Sequence, residues 1–299
     1  MTAPITEAGL YDGIPDDVYH AGQNTPTPSL SQSQLKLLMP PSTPAHFAWR
    51  LTHPEGTKRA FDVGRAAHTT VLGVGEPMAA CPDDLLASNG TMTTKVSKEW
   101  ALEQRRHGIV PLTPADFRLV MDMAEALAEH PQAAELLTDP TNRPEVSAYA
   151  QHEATGVWLR GRFDLLGGEL FDYKTARSAD PEQFRRSAVS YGYHVQDVFY
   201  RRLAYLTTGA VLGPLTFIVQ EKTPPYLPSL VQLDTAFEQL AQRQLDTAFA
   251  LFAECTSTDT WPGYSADVVT VSPPSWALSQ AEASEAADVL DELERYLSE

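Results

Sequence analysis

The first half of the chain carries apolar residues at helical spacing. Three helices are predicted there: one from Ser29 or Ser31 to Pro40, one from Thr57 to about Leu72, and one from Thr113 to about His130. The third has a clear start signal, because Thr113 precedes a proline and an acid, which are favoured in the first turn of a helix. The segment ahead of these helices, through Tyr19 and His20, is predicted to be extended.

From Glu145 the apolar period shortens to two residues, which is typical of strands. Three strands over 145–153, 157–166 and 169–174 predict an antiparallel meander; helices near 181–189 and over 193–208, strands over 214–221 and 226–233, and a helix over 234–254 follow. This order predicts an α/β (α+β) fold with a mixed central sheet of about five strands, flanked by helices.

The domain organisation follows from the same pattern. We expect one domain over residues 1–275 with a helical N-terminal portion and a core at about 145–256. An acidic amphipathic helix is predicted separately over 278–299. It would pack either on its own domain or against a partner.

The composition of the 299 residues is that of an ordinary globular protein, but the net charge is −17. This charge disfavours a protein that coats nucleic acid through a general positive surface, because such binding depends on neutralising phosphates. No basic and apolar leader begins the sequence and no apolar run reaches the roughly 20 residues of a membrane span, so a soluble cytoplasmic protein is expected. Since only two cysteines are present, far apart, any metal is expected to be bound by oxygen and imidazole.

Two acids and a lysine on neighbouring strands carry the most informative chemistry. Residues two apart on a strand share a face, so Asp172 and Lys174 point the same way, beside the backbone carbonyl of Tyr173. With Asp164 from the next strand, these groups offer the oxygen ligands that one or two Mg²⁺ ions prefer. Lys174 would then orient the attacking water and offset charge on a phosphorane. The alternative interpretation of Asp172 and Lys174 is a surface ion pair.

This metal site depends on the register of the two strands. A two-residue hairpin at Gly167 and Gly168 would place Asp164 and Asp172 on opposite faces of the sheet, which would exclude the site. We therefore predict a three-residue connection or a β-bulge between the two acids. The glycines favour such a connection because they accept positive φ angles.

The charge distribution supports a phosphate-binding role for this region. Between Val157 and Arg202 there are eight basic and six acidic residues, so the segment is net positive inside an acidic chain. Candidates for contacts with phosphates are Arg160, Arg162 and Arg177.

Two predicted helices present further candidates. On the helix over 193–208, Gln196 and Tyr200 are one turn apart on a stripe that can face the sheet, although core packing would give the same pattern. On the second predicted helix, His68 follows Arg65 by one turn. A histidine at this position would be a metal ligand or an ordinary structural residue.

Together these segments resemble the RecE-type nuclease domain of exodeoxyribonuclease VIII and its phage relatives, within the PD-(D/E)XK superfamily. The resemblance extends from about Tyr19 to Glu221 and rests on the stretches YHAGQNTPTPSLSQSQLKLLMPPSTPAHF, GRAAH, GRFDLLGGELFDYKTA and YGYHVQDVFYRRLAY. One departure is Phe163, which stands where the superfamily pattern has proline.

The resemblance implies roles for the matching residues. The implied metal ligands are His68, Asp164 and Asp172, the implied catalytic lysine is Lys174, and Gln196 with Tyr200 matches the glutamine–tyrosine signature of RecB-like and RecE-like nucleases. Further candidates are Glu145 as an acid near a second metal ion, Arg65, and Ser31 and Ser33 as phosphate contacts, with N-capping as the alternative for Ser31.

The residues themselves support Mg²⁺-dependent hydrolysis of phosphodiester bonds, with Mn²⁺ as an alternative ion. The resemblance implies an exodeoxyribonuclease that degrades one strand of linear double-stranded DNA from its 5′ end and leaves a 3′ overhang for homologous recombination. It also implies a ring-shaped homo-oligomer, a single-strand annealing recombinase as partner, and a phage or prophage setting in a bacterial host.

Two alternatives come from other classes. One is a RecB-like or CRISPR-associated nuclease of another polarity, without the iron–sulfur cluster that four cysteines would hold. The other is a protein without activity, either a nuclease-like module that binds DNA or an assembly factor.

Overall fold

The computed structural model describes residues 4–53 and 59–280. In these residues the chain forms the helices α1 (Asp16–Ala21), α2 (Gln32–Leu35), α3 (Pro44–Thr52), α4 (Arg59–Leu72), α5 (Lys95–Arg106), α6 (Pro114–Ala128), α7 (Pro131–Thr138), α8 (Pro181–Tyr191), α9 (Tyr193–Thr208) and α10 (Thr235–Thr258). The strands are β1 (Gly9–Tyr11), β2 (Met78–Ala80), β3 (Val110–Leu112), β4 (Arg143–Gln151), β5 (Trp158–Leu166), β6 (Leu170–Ala176), β7 (Thr216–Glu221) and β8 (Pro228–Val231). The chain divides into two compact units, residues 1–262 and 263–299, and all these elements belong to the first.

Six strands form the central sheet, in the order β1-β4-β5-β6-β7-β8. Neighbouring strands are antiparallel except β6 and β7, which are parallel and are connected through α8 and α9. The predicted α/β (α+β) class with a mixed sheet is therefore confirmed, as is the antiparallel meander of β4, β5 and β6. The sheet has one strand more than predicted, because β1 is too short to show a period in the sequence.

Apolar clusters cover both faces of this sheet. Phe163 of β5 packs with Phe199 of α9 in one buried cluster. Tyr173 of β6 and Ile218 of β7 pack with Met123 of α6 in another. Because the central strands are buried on both faces, a polar side chain within them needs a partner or a function.

The segment before α2 lies against β5. Leu30 bridges to β5, where its backbone N–H donates to the carbonyl of Trp158 and its carbonyl accepts from the N–H of Arg160. This bridge occupies the edge of β5 at the end where β6 is not paired with it. The N-terminal residues are thus part of the sheet that carries the predicted site.

The predicted extended conformation through Tyr19 and His20 is wrong, because both residues belong to α1. Acids occupy the first turn of this helix, where they interact favourably with its dipole, and Gly22 ends it in the left-handed conformation. These signals are present in the sequence but span only six residues.

Most of the predicted acidic helix over 278–299 lies outside the described residues. In the part of the chain that the structure describes, no helix combines the length and apolar character needed to cross a membrane.

Candidate active site

Asp164 of β5 and Asp172 of β6 lie opposite each other. Leu166 pairs with Leu170, so three residues connect the strands, and the same register places Asp164 opposite Asp172. The predicted three-residue connection is confirmed. A three-residue connection therefore brings the two acids together at the end of the paired region, as the predicted site required.

The side chain of Asp164 lies where β5 and β6 stop pairing. Its Oδ2 accepts a 2.8 Å hydrogen bond from the backbone N–H of Tyr173. Residues two apart on a regular strand share a face, but Phe163 and Leu165 belong to different apolar clusters. The alternation of faces along β5 is therefore interrupted at Asp164. Asp164 is therefore held by the backbone of the neighbouring strand at a break in the ladder.

Glu145 of β4 extends this row of carboxylates to a third strand. Pro144 pairs with Leu165 and Val146 pairs with Phe163, so Glu145 lies opposite Asp164. Glu145 has a φ of 54°, in the left-handed region that residues other than glycine seldom adopt, at a cost of about 1–3 kcal/mol. Backbone strain of this kind is concentrated at functional sites.

His68 of α4 connects two of these carboxylates. Its Nδ1 lies 3.1 Å from Oε1 of Glu145, and its Nε2 lies 2.9 Å from Oδ2 of Asp164. One ligand atom from each of the three residues lies within 4.8 Å of the others. Neighbouring ligands of an octahedral Mg²⁺ ion are about 3 Å apart and opposite ones about 4 Å, given the metal–oxygen distance of about 2.1 Å, so this group fits one hard cation.

Asp172 is buried between two partners. The Nζ atom of Lys174 lies 2.5 Å from its Oδ2, and Nε2 of Gln196 donates to its Oδ1 at 2.5 Å. Tyr200 hydrogen-bonds to Gln196 and packs its ring edge-on against Phe163. The glutamine–tyrosine pair therefore reaches the site through Asp172.

The structure groups the predicted metal ligands differently from the sequence. Among the described residues, the compact ligand group contains His68, Asp164 and Glu145, whereas Asp172 lies outside it with Lys174. Glu145 was predicted only as an acid near a second ion. Its contact with Nδ1 leaves the other ring nitrogen of His68 directed at Asp164, which is the arrangement in which a carboxylate orients a metal-binding histidine.

The carboxylates are crowded enough to perturb one another. Burial and the charge of Asp164 raise the pKa of Asp172 to about 6, and burial, with a further contribution from Asp164, raises the pKa of Glu145 to about 7. Burial has the same effect on Asp164, but the charge and hydrogen bond of His68 outweigh it and lower the pKa of Asp164. For Lys174, the charges of Asp172 and Asp164 outweigh burial and raise the pKa of the ammonium. Such crowding of negative charge favours cation binding.

His68 should make the stability of the metal-free protein pH-dependent. Burial opposes its charged form, but the charge and hydrogen bond of Asp164 and the charge of Glu145 raise its pKa from 6.5 to about 9. Protonated His68 therefore stabilises the folded state, and this contribution is complete below pH 6.5. As the pH rises through about 9 the histidine loses its proton, and the free energy of unfolding should fall by up to about 3 kcal/mol. Denaturant unfolding in EDTA should show this decline in the wild type and a smaller one in His68→Gln. Parallel curves for the two proteins would contradict it.

Arg160 is buried, and its predicted role as a DNA-binding residue is wrong. Only 3% of its surface is exposed. Its guanidinium donates to the carbonyls of Ser29 and His20 and lies over the ring of Tyr19. Because its donors are directed at the N-terminal segment, Arg160 fixes that segment to β5.

Arg162 is also engaged within the protein. It donates to the hydroxyl of Ser147 at 3.0 Å and to the carbonyl of Ile14 at 2.5 Å, and it pairs with Asp16. Its guanidinium carbon lies 4.3 Å from the ring centroid of Tyr19. These contacts anchor Arg162 within the protein, as they do its neighbour on β5, and its contact with phosphate stays a prediction.

Other candidates near the N-terminus have structural partners. Arg65 forms an ion pair with Glu76 and does not join the carboxylate row. The hydroxyl of Ser31 accepts the N–H of Gln34 in a capping box and also hydrogen-bonds to Ser33. The N-capping alternative therefore accounts for Ser31, and the hydroxyl of Ser33 is hydrogen-bonded to that of the capping residue.

Two residues near Lys174 were not identified from the sequence as part of the site. The ammonium of Lys174 lies 5.1 Å from the ring centroid of Tyr193. The Nζ atom of Lys36 donates to the carbonyl of Tyr191. The helical stripe from Tyr193 through Gln196 could have indicated the first of them, but no local signal indicates Lys36.

Comparison with known proteins places this geometry in context. Residues 31–271 match the family described as a PDDEXK-like domain of unknown function, DUF3799. No curated protein matches the sequence. Among solved structures, a candidate exonuclease from Eubacterium rectale is similar in fold, with a TM-score of 0.59 and 12% identity over 89% of this chain and 97% of that one. An alkaline exonuclease from Laribacter hongkongensis gives a TM-score of 0.25 and 14% identity over 68% of this chain and 96% of that one, which is too low to bear on the fold.

Proposed function

The chain belongs to the PDDEXK-like domain family DUF3799, and on this premise we propose that it is a metal-dependent exodeoxyribonuclease. The observation that carries the proposal is the row of Glu145, Asp164 and Asp172 across three strands, flanked by His68 and Lys174. PDDEXK nucleases use divalent metal ions, and this set of oxygen and imidazole donors suits one.

The residues of the site divide the chemistry between them. The compact group of His68, Glu145 and Asp164, with Asp172 and the Tyr173 carbonyl beside it, would hold Mg²⁺ or Mn²⁺, which would polarise the phosphate and lower the pKa of a bound water. Lys174 stabilises the charge that develops as water attacks phosphorus and the phosphorus–oxygen ester bond breaks. Gln196 fixes the orientation of Asp172.

The finer features of the proposal rest on the resemblance to RecE-type nucleases. We propose digestion of one strand of linear duplex DNA from the 5′ end, in the service of recombination. A homo-oligomeric ring, an annealing partner, and a phage or prophage origin belong to the same proposal. The resemblance of GRFDLLGGELFDYKTA and YGYHVQDVFYRRLAY to that family supports them.

Cleavage of end-labelled DNA tests this function. With Mg²⁺, the protein should release the 5′ label of linear duplex DNA and retain the 3′ label, whereas covalently closed circular DNA should stay intact. EDTA should abolish cleavage, and excess Mg²⁺ or Mn²⁺ should restore it.

Each of the other outcomes supports an alternative. Release of the 3′ label first would favour a nuclease of opposite polarity, such as a RecB-like enzyme. Binding without cleavage in either metal would favour an inactive module and would reject the proposed activity. Cleavage that persists in EDTA would reject the metal site.

A further inference from the structure

A groove of about 790 Å³ opens beside Lys174. The β6–α8 connection, α8 and the start of α9 form its walls. Among the described residues that line it are Lys174, Arg177, Arg186 and Lys222, with Asp180 as an acid. A basic groove is unusual in a chain of charge −17, and it begins at the proposed catalytic lysine.

Aromatic rings form part of the lining of this groove. Tyr191 is 61% exposed, although it is the last residue of a packed helix. Its ring centroid lies 5.7 Å from that of Tyr193, which in turn stacks on buried Phe184 at 5.5 Å with an interplanar angle of 17°. The groove therefore combines cations with an exposed ring that has a fixed support.

Contacts from α2 and the turn after it hold the corner that carries Tyr191. Gly192 ends α8 with a φ of 71°, and its carbonyl accepts the side-chain N–H of Gln32 at 3.1 Å. Lys36 donates to the carbonyl of Tyr191, and burial together with the nearby charge of Lys174 lowers its pKa. Because the corner is fixed in advance, little conformational entropy would be lost on binding.

We propose that this groove binds a single-stranded segment of the DNA strand whose end is cleaved. Its phosphates contact Arg177, Arg186 and Lys222, and one of its bases stacks on Tyr191. Separated bases expose faces that stack on aromatic rings, whereas the bases of an intact duplex stack on one another. This proposal rests on the proposed nuclease function, because Lys174 lines both the groove and the catalytic centre.

Binding of labelled oligonucleotides in EDTA tests the groove without any cleavage. Fluorescence anisotropy of a fluorescein-labelled 20-nucleotide oligothymidylate should give a dissociation constant at least about fivefold higher for Tyr191→Ala than for the wild type. Arg186→Ala should weaken binding and make it less dependent on salt, because one phosphate contact is lost. Tyr191→Phe should bind like the wild type, since the ring is kept.

Matched controls are available on the same helices. Arg185 is adjacent to Arg186 but pairs with Glu182, and Tyr205 of α9 is 51% exposed outside the groove. Arg185→Ala and Tyr205→Ala should therefore leave binding unchanged. Thermal melting would establish that all variants fold.

Two results would overturn the groove proposal. One is that the groove variants bind single strands as tightly as the controls do; the other is that Tyr191→Ala loses duplex binding and single-strand binding to the same extent. If the wild type cleaves DNA in Mg²⁺ and the groove variants bind single strands normally, only the groove proposal is refuted. A wild type that binds single strands through Tyr191 without cleaving DNA would refute the nuclease function alone.

Discussion

Replacing Lys174 with alanine is expected to slow cleavage of linear duplex DNA by at least about 100-fold. Its ammonium is paired with buried Asp172, and in the proposed mechanism it stabilises the charge that develops on the phosphate. Single-turnover rates with saturating enzyme and Mg²⁺ measure this loss. Lys95→Ala is a suitable control, because the Lys95 side chain is 89% exposed on α5. Cleavage at the wild-type rate would reject Lys174 as a catalytic residue.

The Lys174 variant also removes a charge partner, so its stability needs a separate measurement. Asp172 would remain buried with Gln196 as its hydrogen-bond donor but without its paired cation, which should lower the free energy of unfolding by roughly 3 kcal/mol. Lys174→Gln retains a hydrogen-bond donor at this position and serves as a second variant. Loss of cleavage in a folded Lys174→Gln protein that still binds duplex DNA would separate the catalytic role from the structural one.

Asp164→Asn is expected to abolish detectable Mg²⁺ binding and to reduce cleavage by more than about 100-fold. The amide keeps the shape of the carboxylate and an oxygen that can accept the N–H of Tyr173, so the strand contact is preserved. It removes the negative charge that the cation needs. Isothermal titration with Mg²⁺ and Mn²⁺ measures the loss, and Asp84→Asn, at an exposed position, is the matched control. An unchanged metal affinity would place the ion elsewhere.

The parts of the site that lie close together in sequence could be predicted from it. The period-two pattern located the strands, and the requirement that Asp164 and Asp172 come together favoured a three-residue connection or a β-bulge over a two-residue hairpin at Gly167 and Gly168. Both depend on local backbone geometry, which a short stretch of sequence determines. The opposition of Asp164 and Asp172 follows from them.

The remaining features depend on contacts between distant segments. Glu145 reaches the row through the register of β4 and a positive φ, neither of which its neighbours in sequence reveal. Arg160 has the charge of a phosphate ligand, but its partner Ser29 lies 131 residues away. Lys36 meets Tyr191 across 155 residues. The sequence shows which side chains are charged, but contacts between distant segments determine which of them are exposed to solvent.

The N-terminal segment determines how short a stable version of this domain can be. A chain trimmed to the matched family range, residues 31–271, would lose β1 and Leu30, which pair with β4 and β5. Two strand edges would then be open to pairing with other chains, and the Arg160 guanidinium would lose the carbonyl acceptors of Ser29 and His20. A chain that keeps these strand pairs therefore has to begin no later than Gly9, ahead of the boundary that sequence similarity marks.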